Sequence, residues 1–190
     1  NVKVFEKQMR YISRKNASDP YFLDLTYKYS DSILLIDPEN EFASNTKINI
    51  DLTRSTIENN VSKVVLISTD KAVNPTNLYG ACKMTAEKLF IAANNISGDK
   101  KTRFSVIRYG NVLGSRGSVV EILEKNKKNL DKIKITDNRM TRFLMTLDQC
   151  SKFVLDSIKN MSGGEIFVPK LPSVKILDIF KLYYKNKKIN

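Results

Sequence analysis

The sequence has 190 residues, 42% of them hydrophobic, enough to bury one substantial core and too apolar for wholesale disorder. It has no histidine and only two cysteines, Cys82 and Cys150, in no C-x-x-C pair, which argues strongly against a zinc site or a histidine-dependent catalytic triad. The net charge of +12 comes from lysines spread along the chain, which suits an anionic small molecule such as a nucleotide diphosphate better than nucleic acid.

In chain order, the first 45 residues are the hardest to read. Asp37-Pro38 is a turn signal, and residues 32–36 form a short apolar run expected to be a strand. The start shows no signal-peptide pattern, and no apolar run approaches the roughly 18–20 residues of a membrane span. The expectation is a reduced, soluble, cytoplasmic protein with no membrane partner. Residues 49–60 have the spacing of a helix of three turns. Residues 63–67, Lys-Val-Val-Leu-Ile, read as a strand buried on both faces of a parallel sheet. A helix is expected from 78 to 94, a strand from 104 to 108, a helix from 119 to 128 and a strand from 132 to 136. An amphipathic helix (147–159), a short strand (165–168) and a last helix (174–184) follow. Strands alternating with helices mean βαβ units, hence an α/β fold with a mainly parallel sheet.

The chemistry-bearing residues gather after the strand at 63–67. Ser68-Thr69-Asp70-Lys71 stands at its carboxyl end, where open α/β sheets bind their ligands. Tyr79 and Lys83 are four apart at the start of the next helix and so share a face. A lysine ammonium beside a phenol favours the phenolate, which makes a tyrosine usable as an acid or base. The spacing alone also fits two unrelated residues on a solvated helix face, and Asp70-Lys71 alone fits a local ion pair in a turn. Gly110, Gly114 and Gly117 follow a strand and precede a helix, as a dinucleotide loop would. Their position after the tyrosine helix suits a substrate-side loop better.

Residues 68–83, Ser-Thr-Asp-Lys-Ala-Val-Asn-Pro-Thr-Asn-Leu-Tyr-Gly-Ala-Cys-Lys, resemble the signature of the UDP-N-acetylglucosamine 4,6-dehydratases, extended short-chain dehydrogenases of polysaccharide and flagellin-sugar biosynthesis. Residues 108–119 (from Arg-Tyr-Gly-Asn), 136–143 (Thr-Asp-Asn-Arg-Met-Thr-Arg-Phe) and 163–170 (Gly-Gly-Glu-Ile-Phe-Val-Pro-Lys) resemble the same family. A tyrosine at position 79 is typical of its soluble, C5-inverting type, associated with pseudaminic-acid synthesis.

The resemblance implies a partial Rossmann-like parallel sheet with flanking helices, plus part of a small C-terminal substrate-binding region. It implies NADP or NAD as cofactor and a UDP-sugar as substrate. Tyr79 with Lys83 would take the 4-hydroxyl proton, Lys71 the C5 proton, and Asp70 would protonate the departing 6-hydroxyl. Thr69 would bond near the 4-oxygen. Ser68, Tyr79, Lys83 and Tyr109 would meet the cofactor. Arg108 would open the substrate-side stretch, and Asn111, Arg116 and Arg142 would contact the substrate. The family opens on a T-G-G-T-G-x-x-G phosphate loop, whereas here no glycine precedes Gly80. The expectation is therefore a chain truncated at both ends: a divergent segment at 1–45, a Rossmann-like core lacking the glycine loop at 46–160, and part of a substrate-binding region at 161–190. It would work as a homo-oligomer or with a complementing N-terminal fragment, or else persist as a non-catalytic remnant. An epimerase or reductase of the same superfamily is the other enzymatic option, and Asp70-Lys71 disfavours it.

Overall fold

The computed structural model describes residues 22–37, 39–115, 118–126 and 137–183. The chain forms two compact units, Asn1–Arg108 with Asp156–Val168, and Tyr109–Leu155 with Pro169–Asn190.

The first unit is the α/β body the sequence pattern predicts, although residues 64–67 are half-buried and not buried on both faces as expected. Helices α1 (Phe22–Ile36), α2 (Glu41–Glu58) and α3 (Leu78–Ser97) pack beside a three-stranded parallel sheet of β1 (Lys63–Thr69), β2 (Arg103–Tyr109) and β5 (Ile166–Phe167), in the order β1-β2-β5. The β2–β5 pairing sets Val106 opposite Ile166 and Ile107 opposite Phe167. Phe104, Val106 and Ile107 of β2 are fully buried, as the central strand of such a sheet must be. Ile57 of α2 and Phe90 and Ala93 of α3 close over Phe104 and Val106, and the Phe90 and Phe104 rings meet edge to face at 5.8 Å. Further along the helices, Ile50 packs with Leu89 and Ala92, and Phe42 and Ala43 with Ala81 and Ile33 of α1.

The run at 32–36 is therefore the last turn of α1 and not a strand. Ile33 is buried and Leu35 is 86% exposed, and a five-residue apolar run cannot by itself distinguish a strand from one turn of helix. Helix α2 begins eight residues before the expected start. Asn40 caps it by accepting from the Ala43 amide at 3.0 Å. The first turns read poorly as helix because Asn45, Thr46 and Asn49 favour turns, yet each bonds back to a carbonyl four residues earlier (Glu41, Phe42 and Asn45). The two central predicted elements run longer than expected: α3 continues to Ser97, and β2 covers Arg103–Tyr109.

In the second unit β3 (Asn111–Val112), β4 (Thr141–Met145) and β6 (Ser173–Lys175) form a small mixed sheet, β3 parallel and β6 antiparallel to β4. Helices α4 (Val119–Asn126) and α6 (Ile176–Tyr183) bury Val120, Leu123, Ile176, Ile179 and Phe180 together, with Leu144 and Val174 of the sheet against them. Helix α5 (Leu147–Asn160) links the chain back to β5. The three strands of this sheet are too short to show a period, and the last expected helix starts with β6. The strand expected at 132–136 lies outside the described residues. At Gly110 the backbone approaches closely: a Cβ there would lie 2.4 Å from the Phe143 carbonyl oxygen.

Two polar side chains secure β2 and the turn before β5. Asn94 of α3 bonds both the amide and the carbonyl of Phe104, each at 2.9 Å, as a neighbouring strand would. Glu165 accepts from the Ser105 hydroxyl at 2.6 Å and from the Ser162 and Gly163 amides at 2.7 and 2.8 Å. Burial disfavours its charge, but these bonds outweigh that and hold the carboxyl down to about 2 from an ordinary 4.5. A depressed carboxyl contributes stability that is present above its unfolded-state value and lost as pH falls through its folded one. Denaturant titrations should accordingly find the advantage of the unaltered protein over Glu165→Gln full above pH 4.5 and shrinking towards pH 2. A pH-independent difference would refute the assignment.

Candidate active site

The site is built where β1 ends. Thr69 leaves the strand in an extended conformation and caps a single 3-10 turn, Asp70–Ala72. Its hydroxyl faces the Asp70 carboxylate at 2.9 Å and the Lys71 amide at 3.4 Å. Lys71 Nζ lies 3.1 Å from the same carboxylate oxygen, in a half-exposed pair. The hydroxyl, carboxylate and ammonium that the sequence places in one stretch thus form one hydrogen-bonded group.

From that turn Asn74, in the left-handed region at φ 47°, and Pro75 lead the chain round to α3. Asn77 caps the helix by accepting from the Gly80 amide at 2.9 Å. Gly80 is buried, and a Cβ on it would fall 2.4 Å from the Lys71 carbonyl oxygen and 3.0 Å from Pro75. The first turn of α3, carrying Tyr79, therefore rests directly on the backbone of Lys71. One turn further, Lys83 Nζ donates to the Ile67 carbonyl at 3.1 Å. Tyr79 is 55% exposed. It lines, with Lys83, a cleft of about 200 Å³ between α2 and α3 above Leu66, to which α2 contributes Glu41, Asn45 and Asn49. The structure thus gathers Thr69, Asp70, Lys71, Tyr79 and Lys83 around one strand end.

Ser68 stands deeper. It is 3% exposed, and its hydroxyl donates to Glu87 Oε1 at 2.5 Å. The same carboxylate takes Arg108 in a two-pronged contact, Nε at 2.9 Å and Nη2 at 2.5 Å. Arg108 is thus paired with Glu87. The bonds to Glu87 hold its guanidinium above its ordinary pKa, against the effect of burial. In the other unit, Tyr109 is half-buried at the end of β2. Asn111 on β3 keeps its buried Oδ1 without a protein partner, and Arg142 on β4 donates to the neighbouring Thr141 carbonyl at 2.8 Å. Arg116 lies outside the described residues. The reading of the sequence missed Glu87, Glu41, Asn45 and Asn49. Glu87 could have been noticed as the acid one turn beyond Lys83 on the face that carries Tyr79.

Residues 36–189 match the family described as polysaccharide biosynthesis protein. Over 123 residues the chain is 57% identical to the inverting UDP-N-acetylglucosamine 4,6-dehydratase of Campylobacter jejuni, an alignment covering 64% of this chain and 37% of that one. It is 38% identical over 167 residues to a UDP-glucose 4-epimerase of Rickettsia bellii, covering 85% of this chain and 49% of that one. Among solved structures it resembles Pen from Bacillus thuringiensis, with a TM-score of 0.69 and 37% identity over 80% of this chain and 48% of that one. The dTDP-glucose 4,6-dehydratase DesIV of Streptomyces venezuelae, solved with NAD, shares the fold at a TM-score of 0.71 and 13% identity over 84% of this chain and 56% of that one. The chain therefore spans between a third and a half of the length of these curated relatives.

The contact between Gly80 and Lys71 can be tested without substrate. Gly80→Ala should destabilise the protein by about 1–3 kcal/mol, the usual cost of forcing a methyl group into a filled space. Chemical denaturation reads this directly, and a variant as stable as the unaltered protein would mean that the turn has room to spare.

Proposed function

Because the chain belongs to the polysaccharide biosynthesis protein family over residues 36–189, we propose that it carries the catalytic middle of a UDP-N-acetylglucosamine 4,6-dehydratase, which yields a 4-keto-6-deoxy sugar. The observation that supports this most is the Asp70–Lys71 turn seated against the first turn of the Tyr79 and Lys83 helix. A hydride transfer alone would need only the tyrosine and lysine. A carboxyl and an amine beside them suit the removal of a proton from one carbon and of a hydroxyl from the next.

The required hydride carrier is NAD or NADP, which when bound accepts a hydride from C4 of the sugar and returns it to C6. Tyr79, Lys83 and the amides of Asn45 and Asn49 line one cleft, and such a set of hydroxyl, ammonium and amide groups fits a nicotinamide ribose. Tyr79 and Lys83 would hold it there. Ser68 would bear on it only through its backbone, since its hydroxyl is bonded to Glu87.

Tyr79, with Lys83 one turn further along the same helix, takes the proton of the 4-hydroxyl. Oxidation at C4 acidifies the C5 proton, and Lys71 takes it as a neutral amine. The step uses the two groups, 3.1 Å apart, as neutral amine and neutral acid, which together carry the same net charge as the ion pair. Asp70 in that form protonates the 6-hydroxyl, which departs as water. The ion pair is then restored by the proton from C5. Thr69, bonded to Asp70, keeps the carboxyl oriented through both transfers.

Tyr79 also supports assignment to the C5-inverting type associated with pseudaminic-acid synthesis, a cytoplasmic enzyme acting as a homo-oligomer or with an N-terminal complementing fragment. Residues 161–190 would supply part of its substrate-binding region. Among the described residues no helix is long and apolar enough to cross a membrane. A second reading, a UDP-sugar 4-epimerase, draws on the likeness to the Rickettsia epimerase across 85% of the chain. That reaction has no use for Asp70 and Lys71 as an acid–base pair.

Incubation with UDP-N-acetylglucosamine, with and without added NADP, separates the readings by mass spectrometry. A dehydratase yields a product lighter by one water, an epimerase an isomer of equal mass, and no turnover would refute both. In a dehydratase, Tyr79→Phe and Lys71→Ala should each lower turnover by about a hundredfold or more, the scale of general acid–base catalysis. Near-normal turnover in either variant would remove that residue from the mechanism.

A further inference from the structure

Glu87 has no part in the chemistry above, yet it is the most thoroughly engaged carboxylate near the site. It is 1% exposed and lies on the stripe of α3 that already carries Tyr79 and Lys83, each four residues after the last. An acid four residues after a lysine on an open helix face would pair with it. Here the two part company. Lys83 reaches the Ile67 carbonyl, while Glu87 accepts the Ser68 hydroxyl and the guanidinium of Arg108.

The arrangement joins successive residues of β1 to successive turns of α3: Ile67 to Lys83, then Ser68 to Glu87. The next residues of the strand are Thr69, Asp70 and Lys71. Arg108 at the end of β2 neutralises the carboxylate and ties the central strand to the same point. A buried ion pair is seldom worth more to stability than well-packed apolar side chains of the same volume. Its strength is directional, because both prongs of the contact must align at once.

We propose that Glu87, neutralised by Arg108, is a positioning residue that sets where the strand end bearing Thr69, Asp70 and Lys71 stands relative to Tyr79 and Lys83. By engaging Glu87, Arg108 also removes a competing carboxylate from the reach of Lys83. The proposal rests on the dehydratase reading for the identity of the groups being positioned, but the positioning itself is measurable without substrate.

Two variants test it. Glu87→Leu/Arg108→Met replaces the pair by apolar side chains, and Ser68→Ala removes only the hydroxyl link. Hydrogen exchange across residues 68–73 should rise by about tenfold in the double variant and by a smaller factor in Ser68→Ala, with residues 89–93 of α3 unchanged. Unchanged exchange at 68–73 in the folded double variant would overturn the proposal. If the double variant does not fold, Ser68→Ala decides in the same way. If the unaltered protein turns over UDP-N-acetylglucosamine, kcat of the double variant should fall by about a hundredfold with KM little changed, since displacement by an ångström is enough for that loss. A retained kcat would also overturn the proposal. Absence of turnover in the unaltered protein would refute the dehydratase reading, and the exchange result would still decide whether Glu87 positions the strand end.

Discussion

The carbonyl oxygen of Lys71 lies where a side chain on residue 80 would have to be. Everything at the site follows from that approach. Because position 80 is glycine, the first turn of α3 can lie flat on the turn that ends β1, and Tyr79 arrives beside Asp70 and Lys71 without a long loop between them. Pro75 and the left-handed Asn74 bend the chain sharply enough to return it, and Asn77 ends the bend by capping the helix.

The same body relies repeatedly on polar side chains that replace backbone partners. Asn94 acts as a short piece of strand beside Phe104, and Glu165 gathers two amides and a hydroxyl at the turn before β5. Thr46 and Thr53, both buried in α2, return their hydroxyls to carbonyls of their own helix. Each of these buried polar groups has its cost offset locally, so the apolar contacts of Ile50, Leu89, Phe90 and Phe104 are not interrupted. Glu87 belongs to this pattern, with the difference that its partners come from two strands.

What could be read in the residues depended on how local the determining interactions were. Strand β1 and helix α3 were legible because a continuous apolar run rich in β-branched residues and a long helical stripe announce themselves within a few residues. The chemical group at 68–83 was legible for the same reason: its members are close in sequence and their order is distinctive. Helix α1 was misread because its short apolar run fits a strand or a helical turn equally well. The start of α2 was hidden by Asn and Thr side chains whose compensating bonds appear only once the helix has formed. Glu87 was overlooked because its partner Arg108 lies 21 positions away. The strands β3, β4 and β6 are too short for any period to show, and their identity rests on pairing alone.

The sheet of the first unit is completed from a distance. Ser105 and Glu165, bonded side by side, are 60 residues apart in the chain, and the second unit occupies most of the interval. Adjacent strands β2 and β5 are thus the two ends of a very large loop. Closing such a loop must be paid in chain entropy before the pairing returns anything, which makes this the slow, high-contact-order step in assembling the body. On a ribosome, α1 through β2 can gather their helical core as they emerge. The sheet must wait for its third strand until the whole of the intervening sequence has been made.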